Sequence, residues 1–221
     1  MIDPERTGGL RNLLKIPFLY FLFQRLIGVT KVYSLFVSDY LKLEDGDRLL
    51  DVGCGPCDIL GYLPNGVEYV GIDANAAYIS AAQKRFGSRG SFYHCTAEML
   101  ESVVEGAFDV VIAFGLLHHL DDSGAEKLIA KTSKVLNTGG QFVFIDPCYT
   151  TEQSWIAKWL ISRDRGTMVR TPEAYRNLAA ITYSVIELDV RFDLVNIPWT
   201  HSILKCQKSD NLTCHSCESH Y

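Results

Sequence analysis

Between Arg48 and Gln207 short apolar runs alternate with helical segments, and that alternation restricts the chain to a few folds. The first run, Arg48 to Val52, enters the glycine loop Gly53-Cys54-Gly55-Pro56. A second, Glu68 to Ile72, ends at Asp73, after which Asn75 caps a helix to Phe86 and Gly87 stops it. A third lies near Ser91 to Cys95, and a fourth, Phe108 to Phe114, is continuously apolar, as a strand covered on both faces must be. Ala125, Leu128, Ile129, Thr132, Val135 and Leu136 then recur at helical spacing. Ser123 is the expected cap of that helix and Gly139-Gly140 its expected end, before a fifth strand from Gln141 to Ile145. Helical segments from Thr151 to Ile161 and Pro172 to Ala180 precede two last strands, Tyr183 to Phe192 and Thr200 to Gln207. The short link between those two permits only antiparallel pairing. The pattern predicts a doubly wound α/β sheet of seven strands, mostly parallel and closed by a C-terminal antiparallel hairpin.

The glycine loop sits on a strand-to-helix turn, where α/β sheets bind ligands. A dinucleotide fingerprint places a third glycine where Asp58 stands, and leaves the helix start open for a diphosphate. Here Asp51 precedes the loop and Asp58 follows it. Two carboxylates repel a diphosphate and suit a cation such as S-adenosylmethionine, which carries an ammonium and a sulfonium. Asp73, closing the second strand, is placed to accept both ribose hydroxyls of a nucleoside, or to cap the next helix.

These stretches resemble the class I S-adenosylmethionine-dependent methyltransferases. Leu50-Asp51-Val52-Gly53-Cys54-Gly55 is similar to the family's first motif and Val70-Gly71-Ile72-Asp73 to its second. Phe108-Asp109-Val110-Val111-Ile112-Ala113 with Leu117-His118-His119-Leu120 resembles the fourth-strand motif, and Leu136-Asn137-Thr138-Gly139-Gly140-Gln141-Phe142 the turn into the fifth strand. The resemblance implies a Rossmann-like methyltransferase fold with S-adenosylmethionine as cofactor. It implies Asp51 near the methionine ammonium, Gly53, Cys54 and Gly55 along the cofactor, and Asp73 with Ala74 at the ribose. It also implies Thr96, Ala97 and Glu98 at the adenine edge and the Ala113 carbonyl at the methionine end. Cys57 and Thr96 stand where members often have Gly and Asp.

Methyl transfer is an in-line displacement that needs a base only when the acceptor must lose a proton. His118 and His119, following the fourth strand, are the candidates for that base; packing against the next helix is the alternative for His119. Asp146 and Tyr149 leave the fifth strand toward the same crevice and are candidates to hold an acceptor. Arg163, Arg165 and Arg170 offer guanidinium groups to an anionic part of the substrate, with solvated ion pairs as the alternative. A catalytically silent binding subunit and a nicotinamide-dependent oxidoreductase are the rival functions, the latter opposed by Asp58.

With 221 residues the chain fits one domain, divided as an N-terminal helical lid over 1–44, a cofactor-binding domain over 45–208 and a disordered tail over 209–221. A net charge of −5 without a basic block argues against nucleic acid as a partner. The cysteines lack the spacing of a disulfide framework, which points to a reducing cytoplasm. The stretch Ile16 to Val29 is too short to span a bilayer, and Arg25 interrupts it. Phe18, Leu19, Phe21, Leu22, Phe23, Leu26 and Ile27 are too many for one helical face. They are expected to close over the crevice and give a small-molecule acceptor an apolar wall, with dimer contact and peripheral membrane docking as the competing uses; they leave the oligomeric state open. In the tail, Cys214, His215, Cys217 and His220 lack a second ligand pair, so no metal site is expected.

Overall fold

The computed structural model describes residues 28–104, 106–164 and 166–209. Its centre is one seven-stranded sheet: β1 (Arg48–Val52), β2 (Glu68–Asp73), β3 (Gly90–His94), β4 (Phe108–Phe114), β5 (Leu136–Pro147), β6 (Val185–Arg191) and β7 (His201–Gln207). The strand order is β3-β2-β1-β4-β5-β7-β6. Strands β1 to β5 pair in parallel, and β7 lies antiparallel to both β5 and β6, as the short link between the last two strands requires. The order reverses between β1 and β4, so the crevice lies there, at the carboxyl ends of the strands.

Alternation along each strand divides the core into two layers. Leu50, Val111, Phe142 and Phe144 face one side, where α4 (Asp122–Val135) and α6 (Pro172–Ala180) cover them with Leu128, Ile129, Tyr175 and Leu178. Leu49, Val110, Ile112, Val143 and Ile145 face the other side. There α1 (Val29–Phe36) and α2 (Ala76–Phe86) close the layer with Val32, Phe36, Ile79 and Ala82. The remaining helices, α3 (Leu100–Val103) and α5 (Trp155–Ile161), are short.

Several boundaries differ from the sequence expectation. Asp121, not Ser123, caps α4, because its carboxylate accepts the Gly124 N–H at 2.8 Å. That helix stops at Val135 rather than at Gly139-Gly140, because Leu136 already pairs with Phe108. The pairing then slips between Phe108 and Val110, and the two glycines fall inside a longer β5. Helix α5 begins at Trp155, four residues after the expected Thr151, with the Ser154 hydroxyl accepting the Ala157 N–H.

On the near side of the expected division at residue 44, Val32, Phe36 and Leu41 are buried in the same layer as Leu49 and Ile145, so residues 29–41 pack on the sheet. The apolar residues 18–27, on which the lid expectation rested, lie outside the described residues, as do Cys214, His215, Cys217 and His220. Among the described residues no helix is long and apolar enough to cross a membrane, and no cluster of His, Cys, Asp and Glu has the form of a metal site.

Candidate active site

The loop after β1 is held open by its own backbone. Gly53 and Gly55 adopt φ of 74° and 55°, a left-handed region that favours glycine. A side chain at Gly53 would meet Leu116 at 2.9 Å, whereas nothing lies within 4 Å of the position a Gly55 side chain would take. The loop thus presents an uncovered backbone at Gly55, while Leu116 lies over Gly53. Cys57 is also left-handed, at φ 59°, where members of the resembling family often have glycine. The Cys54 and Cys57 thiols are both free and buried.

Beneath the loop Asp51 is 2% exposed. Its Oδ2 accepts the Tyr69 hydroxyl at 2.7 Å, and its Oδ1 has no hydrogen-bond partner among the described residues. Burial raises the Asp51 carboxyl to about 7, with the nearby Asp73 charge adding to the rise and the Tyr69 hydrogen bond opposing it. A buried carboxylate oxygen without a donor fits a cationic ligand group at that point.

Asp73 does more than the sequence suggested. Its Oδ2 accepts the Gly55 N–H at 2.9 Å and its Oδ1 the Asn75 N–H at 2.7 Å, so it braces the glycine loop. Capping of α2 falls to Asn75, whose side chain accepts the Ala77 N–H at 2.9 Å. Each Asp73 oxygen keeps a lone pair for a further donor. Register pairs Asp73 with His94, which brings Ala74 beside the exit of β3, where Thr96, Ala97 and Glu98 follow. Thr96 and Glu98 are exposed and Ala97 is half-buried. Ala113 is fully buried near the end of β4, paired with Phe144. The charge argument from Asp58 is weaker than the sequence implied. Asp58 opens a short 3-10 turn rather than a helix and is ion-paired to Arg85, which leaves Asp51 as the loop's unpaired carboxylate oxygen.

The chemistry assigned to the second half of the site is rearranged. His118 is 5% exposed and lies between two carboxylates, with Nδ1 2.5 Å from Asp146 Oδ1 and Nε2 3.3 Å from Asp164 Oδ2. Burial alone would depress its pKa, but the hydrogen bonds to Asp146 and Asp164 outweigh burial and lift it to about 9. Both ring nitrogens are thus engaged by carboxylates, an arrangement that favours the imidazolium over a proton-accepting ring. His119 is exposed, its ring 4.1 Å from that of His118.

Asp146, expected to hold an acceptor, is fully buried and committed to the protein. It also accepts the Leu117 and His118 backbone N–H groups, at 3.3 and 3.0 Å. Gly166 seals the arrangement: a Cβ there would fall 1.8 Å from His118 Cδ2, so only glycine fits. Tyr149 is half-buried near Asp164, and burial raises its phenol pKa.

Arg170, expected to meet the substrate, has its guanidinium engaged within the protein. Its Nε donates to Asp122 at 2.9 Å, Nη1 to the Leu117 and Met168 carbonyls at 2.9 and 3.1 Å, and Nη2 to the Leu120 carbonyl at 2.7 Å. It ties the loop after β4 to the segment before α6. Arg170→Ala is expected to lower stability by about 2 kcal/mol or more, since it strands buried carbonyls, and urea unfolding measures this. Unchanged stability would return Arg170 to the candidates for substrate binding. Arg163 is exposed, 5.4 Å over the Trp159 ring, and Arg165 lies outside the described residues.

Residues 49–140 match the family model described as a methyltransferase domain. The chain is 32% identical over 126 residues to a ubiquinone/menaquinone biosynthesis C-methyltransferase UbiE of Stenotrophomonas maltophilia, covering 52% of this chain and 48% of that one. It is 35% identical over 109 residues to a ubiquinone biosynthesis O-methyltransferase of Bradyrhizobium, covering 47% and 41%. The chain thus spans about half the length of the curated relatives it matches. Among solved structures, a SAM-dependent methyltransferase of Methanosarcina mazei superposes with a TM-score of 0.60 at 20% identity, over 76% of this chain and 94% of that one. Its likeness is one of fold. With the strand order, the open loop and the matched residues taken together, the chain has the fold of the class I S-adenosylmethionine-dependent methyltransferases and, over residues 49–140, is similar in sequence to their methyltransferase domain.

Proposed function

We propose that the chain is a S-adenosylmethionine-dependent methyltransferase acting by direct in-line transfer on a small molecule with an apolar part. The observation that carries this reading is the buried Asp51 oxygen left without a donor beneath a glycine loop that is open at Gly55. Asp51 would receive the cofactor's ammonium, and Gly53, Cys54 and Gly55 would line its methionine part. Asp73, with Ala74, would accept the ribose hydroxyls on its remaining lone pairs. Ala97, between Thr96 and Glu98, would edge the adenine, and Ala113 would lie at the methionine end. Bound there, the cofactor supplies the electrophilic methyl group. The protein's part is to hold the acceptor in line and keep the site dry.

Relatives named for ubiquinone and menaquinone biosynthesis support an acceptor with an apolar body. So do Trp155, Ile156, Trp159 and Met168, exposed on α5 and the segment after it, a segment that also holds Arg163. Calorimetry tests the cofactor half of the reading. S-adenosylhomocysteine is expected to bind and NAD is not, and Asp73→Ala is expected to weaken that binding by roughly 2 to 3 kcal/mol. NAD binding without S-adenosylhomocysteine binding would overturn the assignment.

A further inference from the structure

Both His118 ring nitrogens are engaged by carboxylates, and a different histidine carries a ring nitrogen without a partner among the described residues. His201 opens β7 in register with Pro147 of β5 and Arg191 of β6, at the carboxyl edge of the parallel strands. The residue is partly exposed, yet its Nδ1 is inside the protein with no hydrogen-bond partner among the described residues. A buried acceptor left in that state costs roughly 1 to 3 kcal/mol, unless a ligand or water completes it. A second atom in the same condition is Thr150 Oγ1. Thr150 is tied to the start of this strand through Gln153, whose Nε2 donates to Thr200 Oγ1 at 2.9 Å.

We propose that His201 is the proton-accepting residue of the acceptor site, with Nδ1 taking the hydrogen bond of a hydroxyl group on the methyl acceptor. This rests on the methyltransferase reading above and narrows its substrate to a hydroxyl-bearing molecule with an apolar body. The charges around the ring are Asp164 and the His118 imidazolium, with Arg191 opposite in the sheet. Burial lowers the pKa of His201 to about 4, Asp164 opposing the shift and His118 reinforcing it, so the ring is neutral at physiological pH. In the Nε2–H tautomer Nδ1 carries a free lone pair.

The transfer then balances. The acceptor oxygen forms the new O–C bond to the methyl group, the S–C bond breaks with its electron pair left on sulfur, and the O–H proton passes to Nδ1. A weak base suffices, because an oxygen that has gained the methyl group and still holds its proton is a far stronger acid than an imidazolium. Repulsion from His118 then drives the new imidazolium to release its proton to water.

The test uses the full chain saturated with S-adenosylhomocysteine and two probes of one shape, 4-hexylphenol and hexylbenzene. Nitrogen-15 spectra of histidine-labelled protein should show His201 neutral at pH 6, with Nδ1 unprotonated and its resonance shifted by the phenol. The phenol should bind at least about tenfold more tightly than hexylbenzene, a difference of about 1.4 kcal/mol. His201→Phe should abolish that preference and His201→Asn should retain part of it, with S-adenosylhomocysteine affinity unchanged and a cooperative thermal melt showing that each variant folds. A protonated Nδ1, absence of a phenol preference in the wild type, or a preference that survives His201→Phe overturns the assignment to His201 alone. Failure of the wild type to bind S-adenosylhomocysteine takes down the methyltransferase reading and this inference with it.

Discussion

Asp146→Asn is expected to lower folding stability by roughly 3 to 5 kcal/mol at pH 7, because it leaves the His118 imidazolium buried without its closest counter-charge. The pH dependence gives the effect its signature. His118 titrates at about 9 in the folded protein against 6.5 ordinarily, so its contribution is fully present below pH 6.5 and is lost as pH rises through 9. The shift corresponds to about 3 kcal/mol. Urea unfolding at pH 6, 7.5 and 9 should show the wild type losing stability across that window and the variant losing much less. Parallel curves for the two proteins would mean that the pair stores no charge-linked stability. The loss should also reach the crevice, since Asp146 fixes the Leu117 and His118 backbone as well as the ring.

Asp51→Asn is expected to weaken S-adenosylhomocysteine or S-adenosylmethionine binding by about 10- to 100-fold near pH 7.5, the scale of a charge-assisted hydrogen bond lost. With its carboxyl raised to about 7, Asp51 must shed a proton to receive an ammonium at lower pH. Wild-type affinity should therefore fall about tenfold per unit below pH 7, with proton release on binding, while the variant stays flat. The measurement belongs between pH 5.5 and 7.5, because a ligand α-amino group itself titrates near roughly 7.7 to 8.0. Calorimetry in two buffers of different ionisation enthalpy counts the released proton, and a pH-independent wild type would detach Asp51 from the ammonium.

Stability of the ligand-free protein carries the opposite sign. A folded-state pKa raised from 3.8 to about 7 favours protonated Asp51, so its contribution is complete below pH 3.8 and disappears as pH rises through 7. His201, depressed to about 4, contributes in the reverse direction between pH 4 and 6.5. The difference between wild type and Asp51→Asn isolates the first of these.

The local sequence was enough for the sheet. β1 and β4 begin and end where their apolar runs do, and α2 runs from the Asn75 cap to the Gly87 stop. A continuous apolar run in a strand covered on both faces and capping by a short polar side chain are decided within a few residues, so they are legible there. The antiparallel end followed from the short Asp193 to Trp199 link, and the left-handed turn after β1 from Gly53 and Gly55. The limit of α4 was not legible, because it depends on Leu136 finding Phe108 across the sheet.

Charge was the quantity that only the tertiary structure decided. Asp58, Asp146, Arg170 and His118 all read as available in the sequence, and each acquires a partner more than 20 residues away: Arg85, His118, Asp122 and Asp146 respectively. Burial and the distant partner, not residue type, set whether a carboxylate or an imidazole is charged and free to act. The same physics hides His201 from the sequence, where it sits in no motif. Its neutral, half-covered ring comes from the register of β5 and β7 and from Asp164 and His118, which the chain brings beside it only on folding.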